Sequence, residues 1–192
     1  PLDDSAARAV GTPLMDTLGQ SIYQTLSGPL ALEGGVFGLL VVVLIIRLVA
    51  RGESGRFAAG VTLAGLVGLS IVAFTLRPGS QTLDGTFVVD PLAIFVKRLF
   101  LVSAALSVLA ATGLRAAAWT RRSSEYHVAL LASLLGMLVL ASARDLVLFF
   151  VAFELMSIPL YFLTGFQKQD GRAPEGALKF FLVGRVSSAI VL

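Results

Sequence analysis

Leu146-Val147-Leu148-Phe149-Phe150-Val151-Ala152-Phe153-Glu154-Leu155-Met156-Ser157-Ile158-Pro159-Leu160-Tyr161-Phe162-Leu163-Thr164-Gly165-Phe166 is an almost unbroken apolar run with a carboxylate near its middle. Roughly 20 such residues in a helix cover the ~30 Å hydrocarbon core of a bilayer. Arg144-Asp145 before the run and Lys168-Gln169-Asp170-Gly171-Arg172 after it are polar, turn-forming boundaries. Working outward, the same criterion finds further runs near residues 30–49, 57–76, 91–113, 126–143 and 175–192. They are separated at Arg51-Gly52-Glu53-Ser54-Gly55-Arg56, Pro78-Gly79-Ser80 and Arg121-Arg122-Ser123-Ser124. The expectation is an all-α, polytopic transmembrane helix bundle of about six spans. Residues 1–28, too polar to span, form an outer-surface segment, and 29–192 form the bundle.

Composition agrees. With 56% hydrophobic and 14% charged residues and a mean hydropathy of +0.88, a water-soluble fold would be left with more apolar surface than it could hide. There is no cysteine and one histidine, which excludes disulfides, thiolate metal sites, cysteine nucleophiles and multi-histidine haem or zinc sites. Redox chemistry is therefore not expected in this chain. The net charge of +3 is spread among interhelical loops without a continuous basic stripe, so topology explains it better than nucleic acid does.

Short loops force antiparallel neighbours, and the charges divide between the two ends. One set of loops carries Arg47, Arg51, Arg56, Arg115, Arg121, Arg122, Lys168 and Arg172; the other carries Arg8, Arg77 and Arg144 beside Asp3, Asp4, Asp16, Asp84 and Asp90. Cytoplasmic loops collect Lys and Arg, which places the N-terminus outside. Pro1-Leu2-Asp3-Asp4 lacks an initiating Met and a basic leader, and the chain stops within an apolar run at Val191-Leu192, so truncation at both ends is expected. Small-residue ridges at Gly60/Ala64/Gly68, Gly34/Gly38 and Gly184/Ser188 read as helix-packing surfaces.

Ionisable groups at membrane depth are expensive and are functional candidates by default. Glu154 sits about nine residues into its span, roughly 14 Å deep, too far to snorkel. Ser157, Tyr161 and Thr164 follow at helical spacing, and Pro159 frees the carbonyl of Leu155 beside the carboxylate. Burial favours the neutral acid and a nearby cation favours the carboxylate, a competition suited to a switchable proton carrier. The alternative is a protonated glutamic acid that hydrogen-bonds a neighbouring helix. Lys179, one turn into the last span, is either a site residue or the interfacial partner of Glu175 four residues earlier. Arg185 lies six residues deeper, where it needs a partner; Glu154 on the preceding helix is at similar depth. Lys97 and Arg98 follow Asp90-Pro91 by two turns: one of them snorkels outward or pairs with Asp90 or Asp84, and Lys97 is also a channel candidate. His127, beside Glu125 and Tyr126, reads as interfacial.

Ser142-Ala143-Arg144-Asp145-Leu146, Phe153-Glu154-Leu155-Met156-Ser157-Ile158-Pro159-Leu160-Tyr161 and Glu175-Gly176-Ala177-Leu178-Lys179-Phe180-Phe181-Leu182-Val183-Gly184 together resemble the antiporter-like subunit N of bacterial respiratory complex I, NADH:quinone oxidoreductase. The likeness is strongest over residues 125–192. It implies a proton-translocating subunit in the bacterial inner membrane, holding roughly the first half of the antiporter-like module. Glu154 matches the family's fifth-helix glutamate and Lys179 a lysine of its sixth helix, with Arg185, Lys97, Ser157 and Tyr161 as further candidates. Arg185 departs from the small or apolar residue expected after Gly184. NAD, FMN, iron–sulfur clusters and quinone would belong to the partner subunits of the complex. Two rival functions remain: a subunit of a multisubunit cation/proton antiporter or membrane-bound hydrogenase, and a non-conducting membrane scaffold.

Overall fold

The computed structural model describes residues 28, 30–49, 54–76, 82–83, 85–113, 117–166 and 172–191. The expected outer segment 1–28 falls outside these apart from residue 28, as do Arg77, Asp84, Arg115 and Lys168. Among the described residues the elements in chain order are α1 (Ala31–Val49), α2 (Ser54–Thr75), β1 (Thr82–Leu83), β2 (Phe87–Val88), α3 (Pro91–Thr112), α4 (Ala117–Ser142), α5 (Leu146–Thr164) and α6 (Arg172–Val191).

Local chemistry sets the helix starts. Asp90 caps α3, its side chain accepting from Ala93 N at 2.6 Å, and Pro91 follows at the position where a missing N–H is harmless. Asp145 caps α5 in the same way, accepting from Val147 N at 3.0 Å and Leu148 N at 3.3 Å. Two expected breaks are instead helical: Ser54–Arg56 open α2, and Arg121–Ser124 lie inside α4. The polar residues at 121–124 end the apolar window, but no Gly or Pro there ends the helix.

Among the described residues five helices are long and apolar enough to cross a membrane: α1, the Phe57–Thr75 part of α2, α3, the Glu125–Ser142 part of α4, and α5. The sixth, α6, carries Arg172, Glu175, Lys179 and Arg185 and is less apolar. Helix α4 is central, packing against α1, α2, α3 and α5, while α6 lies on α5. The core joins Leu32, Val36 and Val43 of α1, Leu66 and Ala73 of α2, Leu101 and Val108 of α3, and Leu131, Leu134 and Leu138 of α4. The outward faces are also apolar: Phe37, Ile45, Phe57, Ile71, Phe95, Leu106, Val151, Ile158, Val183 and Ile190 are all exposed. Such a surface suits lipid and not water.

Glycine contacts revise the expected packing ridges. Gly60, Gly68 and Gly38 face open space, and Ala64 is exposed. The α1–α2 seam is built instead by Gly65, which receives Leu39, and Gly35, which receives Leu69. Helices α4 and α5 approach closely enough that a Cβ on Gly136 would stand 2.4 Å from the backbone nitrogen of Met156. Gly184 is a packing glycine, as expected, and Ser188 is buried.

The two ends of the bundle are defined by side contacts. Arg47 at the end of α1 pairs with Glu125 of α4 at one end. At the other, β1 and β2 form a hairpin in the register Thr82↔Val88 and Leu83↔Phe87, turning through Gly85 at φ +81°. That backbone angle strains residues with a Cβ. The hairpin is tied to the α4–α5 corner: Thr86 O accepts from Arg144 N at 2.9 Å, and Phe87 bridges Ala143. The α1 and α4 ends joined by Arg47–Glu125, and the α2–α3 and α4–α5 loops joined by Thr86–Arg144, alternate as the two charge-sorted loop sets require.

Candidate functional site

Glu154 lies mid-way along α5 with a side chain 13% exposed, and its Oε2 accepts from the Arg185 guanidinium of α6. Its Oε1 is buried without a hydrogen-bond partner. Arg185 is 38% exposed and also stacks over Phe181, 5.3 Å from the ring centre. The polar stripe on α5 is partly enclosed. Ser157 is buried and donates to Phe153 O at 2.7 Å, and Tyr161 is buried edge-on against Phe180 and Phe181. Tyr161 reaches α6 because residue 184 is glycine: a Cβ there would stand 2.0 Å from the phenol oxygen. Helix α5 continues through Pro159, and the α4 hydroxyl nearest this kink-prone turn, Ser133, donates to Met156 O at 3.1 Å.

Lys179 is placed differently. Its ammonium is 2.5 Å from Glu175 Oε1 on the same helix, with the two side chains 72% and 63% exposed. The structure therefore brings Arg185, not Lys179, to Glu154.

A fully buried ion pair lies in the four-helix part. Lys97 Nζ is 2.6 Å from Glu33 Oε1, and the side chains are only 2% and 6% exposed. The expected acidic partners were Asp90 and Asp84, but Asp90 is committed to capping α3. Glu33, in the first turn of α1, is the partner that the sequence reading missed. The available signal was an acid just inside an apolar run, at the helix end where the dipole favours negative charge. Arg98 turns the other way, donating to Ala73 O at 2.9 Å and Leu76 O at 3.0 Å and covering the Phe74 ring. It neutralises the carbonyl end of α2. His127, expected at the interface, is 1% exposed within the bundle and packs edge-on to Tyr126. No group of three or more His, Cys, Asp or Glu able to hold a metal occurs among the described residues.

Apolar spans enclosing a buried ion pair define an all-helical, multi-pass membrane protein. A transmembrane family described as NADH:quinone oxidoreductase/Mrp antiporter matches residues 143–192, the segment carrying Glu154, Lys179 and Arg185. NAD(P)H-quinone oxidoreductase subunit 2 of a Synechococcus species is 36% identical over 80% of this chain and 29% of the relative. NADH-quinone oxidoreductase subunit N of Heliobacterium modesticaldum is 35% identical over 81% of this chain and 32% of the relative. Subunit N 1 of Koribacter versatilis is 34% identical over 93% of this chain and 36% of the relative. The chain belongs to this family, NADH-quinone oxidoreductase subunit N and NAD(P)H-quinone oxidoreductase subunit 2, and spans about a third of the length of these relatives.

Proposed function

We propose that this chain is part of a proton-translocating membrane subunit of an NADH:quinone oxidoreductase in a bacterial inner membrane, with Glu154 as its protonatable carrier. The observation that carries the reading is the Glu154 carboxylate itself: nearly buried, held on one oxygen by a cation and unpartnered on the other, inside the matched segment.

The mechanism is electrostatic. A proton binds the free Oε1, forming an O–H bond and converting the carboxylate to the acid, while Arg185 stays charged throughout. A cation approaching favours release of that proton and a cation withdrawing favours its uptake. Lys179, on the exposed side of α6, is positioned to take part with partners outside this chain. Tyr161 packs across the α5–α6 seam, and Ser157 lies buried one turn from the carboxylate on α5. NAD, FMN, iron–sulfur clusters and quinone belong to partner subunits in this reading, and this chain contributes no redox step.

The test is proton transport per quinone reduced in the assembled complex, with Glu154→Gln in the full-length subunit. Lost transport with normal assembly supports the carrier role; undiminished transport favours the scaffold reading. The family description also names the Mrp antiporter, so a cation/proton antiporter subunit is the second reading. Transport by the complete protein that requires sodium would select it.

A further inference from the structure

We infer that Glu33 and Lys97 form a second proton-exchanging site, at the hairpin end of the bundle and separate from Glu154. The inference rests on the proton-transport reading above. The pair is enclosed by this chain alone, with side chains 6% and 2% exposed. Among the described residues it is also electrostatically isolated. Residues 34–46 of α1, 57–76 of α2 and its end, and 128–142 of α4 contain no other ionisable side chain. In α3, Arg98 is committed to the carbonyl end of α2. Asp90 caps α3, and Asp90, Arg144 and Asp145 are exposed at the surface.

A purely structural buried ion pair is stable when the remaining carboxylate lone pairs are satisfied. Here they are not. Glu33 makes an ion contact with Lys97, yet neither of its oxygens accepts an aligned hydrogen bond, and both are buried. From that same position the Lys97 ammonium also faces the Phe87 ring, 4.8 Å from its centre and within cation–π range. Phe87 is itself buried and stands beside the ammonium at the hairpin end of the pair.

The exchange step balances as follows. A proton entering from the hairpin side forms an O–H bond at Glu33 Oε2, the ion contact breaks, and the ammonium moves toward the Phe87 ring. The pair passes from net zero to one positive charge. Return of the ammonium to Glu33 expels the proton.

The experiment uses the full-length subunit in the assembled complex. The double variant Glu33→Gln/Lys97→Gln removes both charges while retaining a polar pair able to clamp α1 to α3, and Glu154→Gln is measured beside it. The expected result is normal assembly with proton-coupled quinone reduction lowered roughly tenfold or more. Redox-induced infrared difference spectra should also contain a carboxylic-acid band that moves in Glu33→Asp. If the double variant transports normally while Glu154→Gln does not, the second site is overturned and the Glu154 reading stands. If both transport normally, the transport reading fails and this inference with it. If the double variant does not assemble, Glu33→Asp, which keeps the carboxyl, decides: an unmoved spectrum overturns the proposal.

Discussion

Arg185 and Glu154 join α6 to α5 through an ion pair, while Lys179, the cation nearer the start of α6, turns back to Glu175 on its own helix. The two partners on α5 and α6 should therefore be energetically coupled. Glu154→Gln and Arg185→Met should each lower the melting temperature of the detergent-solubilised subunit. Their double variant should be less damaging than the sum, with a coupling of about 0.5–3 kcal/mol from the thermal-melt cycle. Additive losses would show that the pair contributes no mutual stabilisation.

Gly136 and Gly38 should respond in opposite ways to the same change. Gly136→Ala drives a methyl into the backbone of Met156 and should destabilise by about 1–3 kcal/mol or more. Gly38 has nothing within 4 Å, so Gly38→Ala should be neutral or gain up to about 1 kcal/mol of helix propensity. Thermal melting of the two variants side by side checks both.

The hairpin should loosen on substitution of Gly85. At φ +81° a branched side chain such as that of Gly85→Val costs about 1–2 kcal/mol. Faster hydrogen exchange at the Arg144 amide, which donates to Thr86 O, would report the loosening.

Arg47→Ala should be tolerated. The pair with Glu125 is 37% and 34% exposed, and such pairs contribute at most about 1 kcal/mol. Membrane expression and melting temperature should stay near wild type.

Much of the architecture was legible in the sequence because bilayer thickness and helix rise leave few choices for long apolar runs. The break at Arg144-Asp145 and the depth match between Arg185 and Glu154 followed from spacing alone, whereas the capping role of Asp145 emerged only in the structure. Glu33 was missed because a charge near the end of a span is cheap at an interface, and only tertiary packing carries it inward to Lys97. The Gly60/Ala64/Gly68 ridge failed for a related reason. Small-residue spacing marks surfaces able to pack closely, but which face of α2 turns inward depends on Leu39 and Leu69 filling the gaps at Gly65 and Gly35.

The single backbone bond from Arg144 to Thr86 has a mechanical consequence. It fastens the corner from which α5 departs to the strand whose Phe87 covers Lys97. An axial slip of α5 must either snap that bond or drag the hairpin with it. The helix bearing Glu154 and the strand that sets Phe87 against Lys97 are therefore moored at one corner.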